Sequence, residues 1–491
     1  MFGRANVLMA SGRKTGWRGE RPNIDHEREE MSTFHSTLSR RQFMKTLGLA
    51  GAGLGGAALV APVFHDLDEL IASPQAGIQR PWWIKEVEKT TLEVDWSLIQ
   101  PWSNKDNNNS NPARYNPNYA DVQAQAKALK AEWLAANKPG YSARDWALDD
   151  SAGGSQAKPW VLDSKATTPT TLGIPKWEGT PEENARMLRS AMKLYGTFML
   201  GYAPLDSNSK KLVFKELTFE DTDKGYMKSS GAYVIPSKAD LSMFTWSVRY
   251  PLGTTRAAPS KIANAGKSYA DNLSDNIGNS TQRFLVQLGY QCMWGGKNHM
   301  APQPAFNALN GVGEGSRDSG QVISPEYGMP MHSNEALTDL PIAPTSPIDA
   351  GIFRFCHDCA KCAEVCPSGA LTYDKDPSWE TAAYNCPGHR QYKNDIPKCR
   401  AFSTLAPNCI TCQASCVFTK VEYSVVHQLV KATSSSTPIF NSFFRTMDNA
   451  FGYGAKISST ENPTTGVFNA KATDWWDLEL PAFNFDVSKK T

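Results

Sequence analysis

Nine of the ten cysteines fall between Cys356 and Cys416, and only Cys292 lies outside that segment. A disulfide framework would spread its cysteines through the chain. Packing them into one segment points to a metal or cluster site instead. The first group reads Cys356-x2-Cys359-x2-Cys362-x3-Cys366-Pro367. Two-residue gaps fold the chain so that three thiolates reach three corners of a cube-shaped cluster. The fourth, ahead of a proline, ligates a neighbouring cluster in bacterial ferredoxins. Zinc prefers two separated CxxC pairs. The second group is Cys409-x2-Cys412-x3-Cys416, followed by Val417 where the ferredoxin pattern has proline. With ferredoxin crossover, Cys356, Cys359, Cys362 and Cys416 hold cluster 1, while Cys366, Cys409 and Cys412 hold part of cluster 2. One more thiolate is needed there. Cys399 is nearer in sequence to Cys409 and is preferred; Cys386 is the other candidate. The spacing predicts two [4Fe–4S] clusters and a redox protein.

An electron wire needs a terminus, and the long stretch ahead of Cys356 must supply it. The 491 residues are 41% hydrophobic and 20% charged, ordinary values for a globular chain. A net charge of +2 gives no reason to expect a nucleic-acid partner. No run of about 20 apolar residues suggests a membrane span. Apolar periodicity predicts helices over 122–137 and 268–288, the second stopping at Gly289. Thr180-Pro181-Glu182-Glu183 predicts a capped helix start running towards Tyr195. Strands are expected at 198–205, 232–236 and 240–250, a proline-rich linker at 337–350, and a short strand at Gly369-Ala370-Leu371. The mixture predicts an α+β core followed by a cluster domain. The expected units are 1–76, 77–190, 191–350, 351–425 and 426–491.

Ser39-Arg40-Arg41-Gln42-Phe43-Met44-Lys45 has the form of a twin-arginine export signal. The Gly/Ala-rich run that follows is too short for a membrane span. This route carries folded proteins and suits one whose cofactors are inserted beforehand. Residues 1–30 are polar and unpatterned, and Met31 is the expected start.

In order along the chain, these features resemble the corrinoid-dependent reductive dehalogenases of organohalide respiration. They are the signal; Pro81-Trp82-Trp83; Lys176-Trp177-Glu178-Gly179-Thr180-Pro181-Glu182-Glu183-Asn184; Leu288-Gly289-Tyr290; Thr338-Asp339-Leu340-Pro341; Pro347-Ile348-Asp349-Ala350-Gly351; both cysteine groups; and Phe440-Asn441-Ser442-Phe443-Phe444 with Phe451-Gly452-Tyr453-Gly454. The resemblance implies a nitroreductase-like corrinoid-binding core, a ferredoxin-like two-cluster domain, and electrons passing from the outer cluster to the inner and on to cobalt. It implies a cobamide bound base-off; no Asp-x-His-x-x-Gly motif occurs among the 8 histidines. It also implies a small organohalide substrate, a small integral-membrane anchor subunit, and a respiratory electron donor at the outer face of the cytoplasmic membrane. The family's proton-donating tyrosine falls at Tyr269. A phenol of ordinary pKa near 10 can act as acid at neutral pH, and its phenolate needs a cationic neighbour. Lys297 is the nominated cation and Asn298 a hydrogen-bond donor. Many family members carry an arginine before Thr-Asp-Leu-Pro. Here Met329, Pro330 and Met331 stand in that region, which resembles the chloroalkane-reducing branch, so either Lys297 alone balances the phenolate or Arg317 reaches the site, with His332 as a further contributor.

Two other readings share features with this one. A non-catalytic electron-transfer subunit would have the signal and both clusters but no cobalt. An epoxyqueuosine-reductase type would act on tRNA, against which stand the export signal and the missing basic patch.

Overall fold

Four stretches bury side chains on both alternating faces and pair into a sheet covered on each side. In this computed structural model they are β1 (Met199–Pro204), β2 (Ser242–Arg249), β3 (Cys292–Met293) and β4 (Met331–Thr338), all antiparallel in the order β1-β2-β4-β3. The structure describes residues 81–477 except 82, 107–110, 137, 142–159, 162–167, 173–174, 296–298, 319, 407–408, 421–424, 452 and 454–474. All of them belong to the larger of two compact units, Pro62–Thr491. The export signal and Met31 lie outside the described residues.

Register sets the two faces. Trp246 pairs with Leu200 on one side and Asn334 on the other. Phe244, Trp246 and Val248 join Leu188, Met192, Ile277 and Leu285 in one core. Met243, Leu337 and Met293 join Phe214, Ile235 and Phe306 in a second. Burying a side chain of the Leu or Phe kind contributes about 1.5–3 kcal/mol.

The helices include α1 (Tyr119–Ala135), α2 (Pro181–Leu194), α3 (Lys261–Leu288) and α4 (Gln303–Leu309), then α5 (Ile352–Asp358), α6 (Lys361–Glu364), α7 (Ile396–Leu405), α8 (Thr411–Ser415), α9 (Val425–Ser436) and α10 (Asn441–Ala450). The expected capping box opens α2: Glu183 N donates to Thr180 Oγ1 at 3.2 Å, and Thr180 N to Glu183 Oε2 at 2.9 Å. Helix α3 ends at Gly289, whose φ of 95° is left-handed. A glycine is also required at Gly278, where a Cβ would meet the Trp294 ring at 2.5 Å.

Two expectations need correction. Helix α3 begins at Lys261, not Ser268, because Ser260 caps it by accepting from Ala263 N at 3.3 Å. Tyr269 is therefore the ninth residue of the helix (269 − 261 + 1) and sits in its third turn, not its first. Gly369-Ala370-Leu371 forms no strand; its backbone bonds go to the chain before α7, with Asp395 N donating to Ala370 O at 2.8 Å. Of the stretch expected to be linker, Leu337 and Thr338 complete β4, and Ile348–Asp349 pairs with Lys85–Glu86.

Candidate functional site

The cysteines are delivered by short helices and the turns between them. Cys356 lies on α5, Cys359 caps it, Cys362 is on α6, Cys399 on α7, Cys412 on α8, and Cys416 follows α8 directly. Their electrostatic coupling sorts them into two sets. Burial pushes the Cys362 thiol far up, and Cys356, Cys359 and Cys416 add to the effect. Burial pushes Cys399 up to about 12, with Asp318, Cys409 and Cys366 reinforcing it. Cys409 is pushed up to about 11 by burial and, further, by Cys366. Cys412 rises for the same first reason, helped by Asp318, Cys409 and Cys399. Cys386 is raised to about 11 by burial alone, with no other cysteine acting on it. Cys399 thus has Cys366, Cys409 and Cys412 as electrostatic neighbours, while burial is what raises Cys386. The two sets adjoin, since Cys362 acts on Cys412. Among the described residues no three His, Cys, Asp or Glu side chains close on a single metal ion. Cys292 is separate, buried in the sheet core.

Arg317 does not serve the role expected of it. Its side chain is 1% exposed, and its donors go to backbone carbonyls of the cysteine segment. Nε donates to Cys359 O at 2.9 Å, one terminal nitrogen to Cys356 O at 2.6 Å, and the other to Thr372 O at 3.0 Å and to Asp374 O. The guanidinium also lies 4.3 Å from the Tyr392 ring centroid. A fork so fully engaged has no donor left for a distant phenolate. Arg317 braces the cluster segment.

Sequence reasoning missed Asp318, whose carboxylate accepts from Cys412 Sγ at 3.3 Å and touches both cysteine sets electrostatically. Nothing in the spacing of one acid signals that contact. It also missed Asp271.

Tyr269 is half-buried on α3, and burial raises its pKa. Two residues on, Asp271 accepts from Lys267 Nζ at 2.7 Å and meets His332 Nδ1 of β4 at 2.9 Å. Burial alone would raise this carboxyl, but His332 and then Lys267 outweigh it and hold it well below the carboxylate range. Further along, His299 lies 3.4 Å from Glu335, which also accepts from Met300 N at 2.8 Å. Tyr250 is buried, and Asp271 adds to the upward push on its phenol. Basic, acidic and phenolic groups therefore gather between α3 and β4, and the arrangement can hold and move protons. Lys297 and Asn298 lie outside the described residues. The cysteine segment shares a core with the same helix. Tyr141, whose hydroxyl donates to Pro259 O at 2.9 Å just before α3, has Cys409 as an electrostatic neighbour. Ile410 and Ala414 join the core that contains Tyr250 and Ala263.

The family model for the reductive dehalogenase subunit matches residues 79–216 and 203–342. The chain is 31% identical to a chloroethene reductive dehalogenase of Dehalococcoides mccartyi (strain VS), over 93% of this chain and 99% of that protein. It is 30% identical to a trichloroethene reductive dehalogenase from another strain of that species, over 91% and 98% of the two chains. A solved reductive dehalogenase structure, described as suggesting a mechanism for B12-dependent dehalogenation, aligns with a TM-score of 0.55 at 18% identity. That alignment covers 84% of this chain and 56% of the other, and the likeness is one of fold. With the family model and near-full-length relatives in agreement, this chain belongs to the reductive dehalogenase family, oxidoreductases that act on carbon–halogen bonds.

Proposed function

We propose that this reductive dehalogenase holds two [4Fe–4S] clusters and a base-off corrinoid, and reduces a small chlorinated alkane or alkene as the terminal step of anaerobic respiration. The observation that carries the reading is the convergence of eight cysteines in two sets, Cys356, Cys362 and Cys416 buried and the other five half-buried. Thiols crowded together out of water cannot all ionise unless positive charge sits among them. Iron supplies that charge. Cluster 1 is assigned to Cys356, Cys359, Cys362 and Cys416, and cluster 2 to Cys366, Cys399, Cys409 and Cys412.

The donor set near α3 suits a corrinoid, whose rim carries amide side chains. Ser274, Asp275, Asn307, Asn334 and Glu335 are all nearly inaccessible there. Asn334 Nδ2 donates to Ser274 Oγ at 3.0 Å, while its Oδ1 has no partner among the described residues. Such a buried acceptor costs stability unless a donor reaches it. A bound corrinoid supplies low-valent cobalt as the electron source for the carbon–halogen bond. Replacing halide by hydrogen takes two electrons and one proton. Tyr269 Oη supplies the proton. Burial keeps this phenol protonated at neutral pH. The phenolate left behind is balanced by Lys297, with Asn298 as donor, and by His332, which reaches the Tyr269 helix at Asp271. The names of the relatives, chloroethene and trichloroethene reductive dehalogenases, support a small chlorinated hydrocarbon substrate.

The motif Ser39 to Lys45 supports twin-arginine export to the outer face of the cytoplasmic membrane. Among the described residues no helix is long and apolar enough to cross a membrane. A small integral-membrane partner therefore anchors the enzyme, and a respiratory donor feeds its clusters.

The test is chloride release by protein reconstituted anoxically with corrinoid, given a reduced viologen and chlorinated ethenes or ethanes. The reading expects release with at least one of them. No release from any, with iron and cobalt fully loaded, would contradict it.

A further inference from the structure

Three buried charges stand beside cluster 1 and take no part in the chemistry above. Lys361 on α6 and Lys420 after α8 both bind the carboxylate of Asp448 on α10, Lys420 at 2.9 Å, and the three side chains are only 4–5% exposed. Lys361 also donates to Tyr453 O at 3.0 Å. Lys420 donates to Cys416 O at 3.4 Å and lies 4.8 Å from the Tyr453 ring centroid. Each lysine is therefore tied to the cysteine segment or the chain that covers it.

Two lysines share one carboxylate, so the triad carries one positive charge in excess (2 − 1) when both are protonated; burial and Lys361 draw the Lys420 pKa down, and Asp448 opposes them. A third cation nearby, Arg445, is matched by Glu364. Lys420 and Lys361 both act on the Cys416 thiol, drawing it down against burial. Asp448 reaches Cys359 as well as Cys416. Arg317, bonded to neutral carbonyls, adds to the positive surroundings of Cys356. Asp318 stands between the two sets, acting on Cys362 as well as on Cys399 and Cys412, so it does not distinguish them; the cations beside Cys399 are Arg400, half-buried, and Lys398, exposed, whereas the triad beside cluster 1 is buried.

Reduction adds negative charge to a cluster, so a buried cation nearby favours the reduced form. Net charge, hydrogen bonds and burial are what set cluster potentials. We propose that the Lys361–Asp448–Lys420 triad makes cluster 1 the higher-potential cluster of the pair, so that an electron shared between them rests on cluster 1. This rests on the cluster assignment above. The triad residues are positioning residues, since they act through the cluster and touch no substrate.

The experiment is a redox titration of the reconstituted holoenzyme followed by electron paramagnetic resonance. Lys420→Met and Lys361→Met each leave a neutral pair with Asp448, which limits the structural cost. Each should lower the midpoint of one cluster by about 59 mV or more, a tenfold change in a one-electron equilibrium. Lys420→Arg should keep the parent value. The cluster that moves must be the one whose signal is unchanged in Cys399→Ser. Full iron with unmoved midpoints in both methionine variants overturns the proposal, as does a shift confined to cluster 2. A parent protein without iron would instead refute the cluster assignment itself. Should Lys361→Met fail to assemble, Lys420→Met against Lys420→Arg decides alone.

Discussion

The phenol of Tyr269 is worth testing first, because the packing around it is kept when only the hydroxyl goes. Tyr269→Phe should retain iron and cobalt and lose most of its activity. Positioned acids typically contribute about 10²–10⁴-fold. Turnover near the parent rate would mean that the proton comes from elsewhere. His332→Gln should lower the rate less, since Lys297 remains. A second residue-scale outcome follows from His299. Burial would lower its pKa, but Glu335, and then Asp271 and Asp275, raise it above 6.5. A group whose folded pKa is raised contributes stability that is present below its unfolded value and lost as pH rises through the folded one. The stability gap between parent and His299→Asn should therefore be widest near about pH 6 and narrow towards alkaline pH. Thermal unfolding across that range would show it; a gap that widens with pH would contradict the assignment. Sequence spacing could not show these partners. Asp271 and His332 stand 61 positions apart in the chain (332 − 271) and meet only because β4 lies along α3. Arg317 was misplaced for a related reason: its partners are backbone carbonyls, which carry no residue signature.

At the scale of elements, short-range signals carried well. The α2 capping box, the Gly289 stop and strands β1 and β2 follow from local chemistry, and their ends shift by only a few residues, whereas β3 and β4 were not foreseen. The start of α3 was obscured because two serines, Ser260 and Ser268, could cap it, and the buried small residues between them show little periodicity. Loop closure favours Cys399 as the fourth ligand of cluster 2, since a shorter loop to Cys409 costs less entropy. Cys399→Ser should perturb one cluster, and Cys386→Ser should leave both. Two intact cluster spectra in the Cys399 variant would move the ligand elsewhere. For α3 itself, Gly278→Leu must push the Trp294 ring aside, and overpacking of this kind costs about 1–3 kcal/mol. Thermal unfolding should drop accordingly; an unchanged midpoint would mean the helix and Trp294 separate easily.

Across the whole molecule, the sheet core presents α3 to both the proton-handling residues and the cysteine segment. Tyr141 and Ile410 carry the cysteine side to the start of that helix, and His332 carries β4 to its third turn. The proposed electron route and the proposed proton route would thus meet on one element. The proposed electron half rests on cysteine spacing alone. The proton half depends on contacts that only folding creates. Metal content tests the combination most directly. Protein reconstituted anoxically with iron, sulfide and corrinoid should hold about eight irons and one cobalt per chain, from two cubane clusters and one corrinoid. Four irons would remove cluster 2, and cobalt bound in the absence of iron, or zinc in place of iron, would contradict the account.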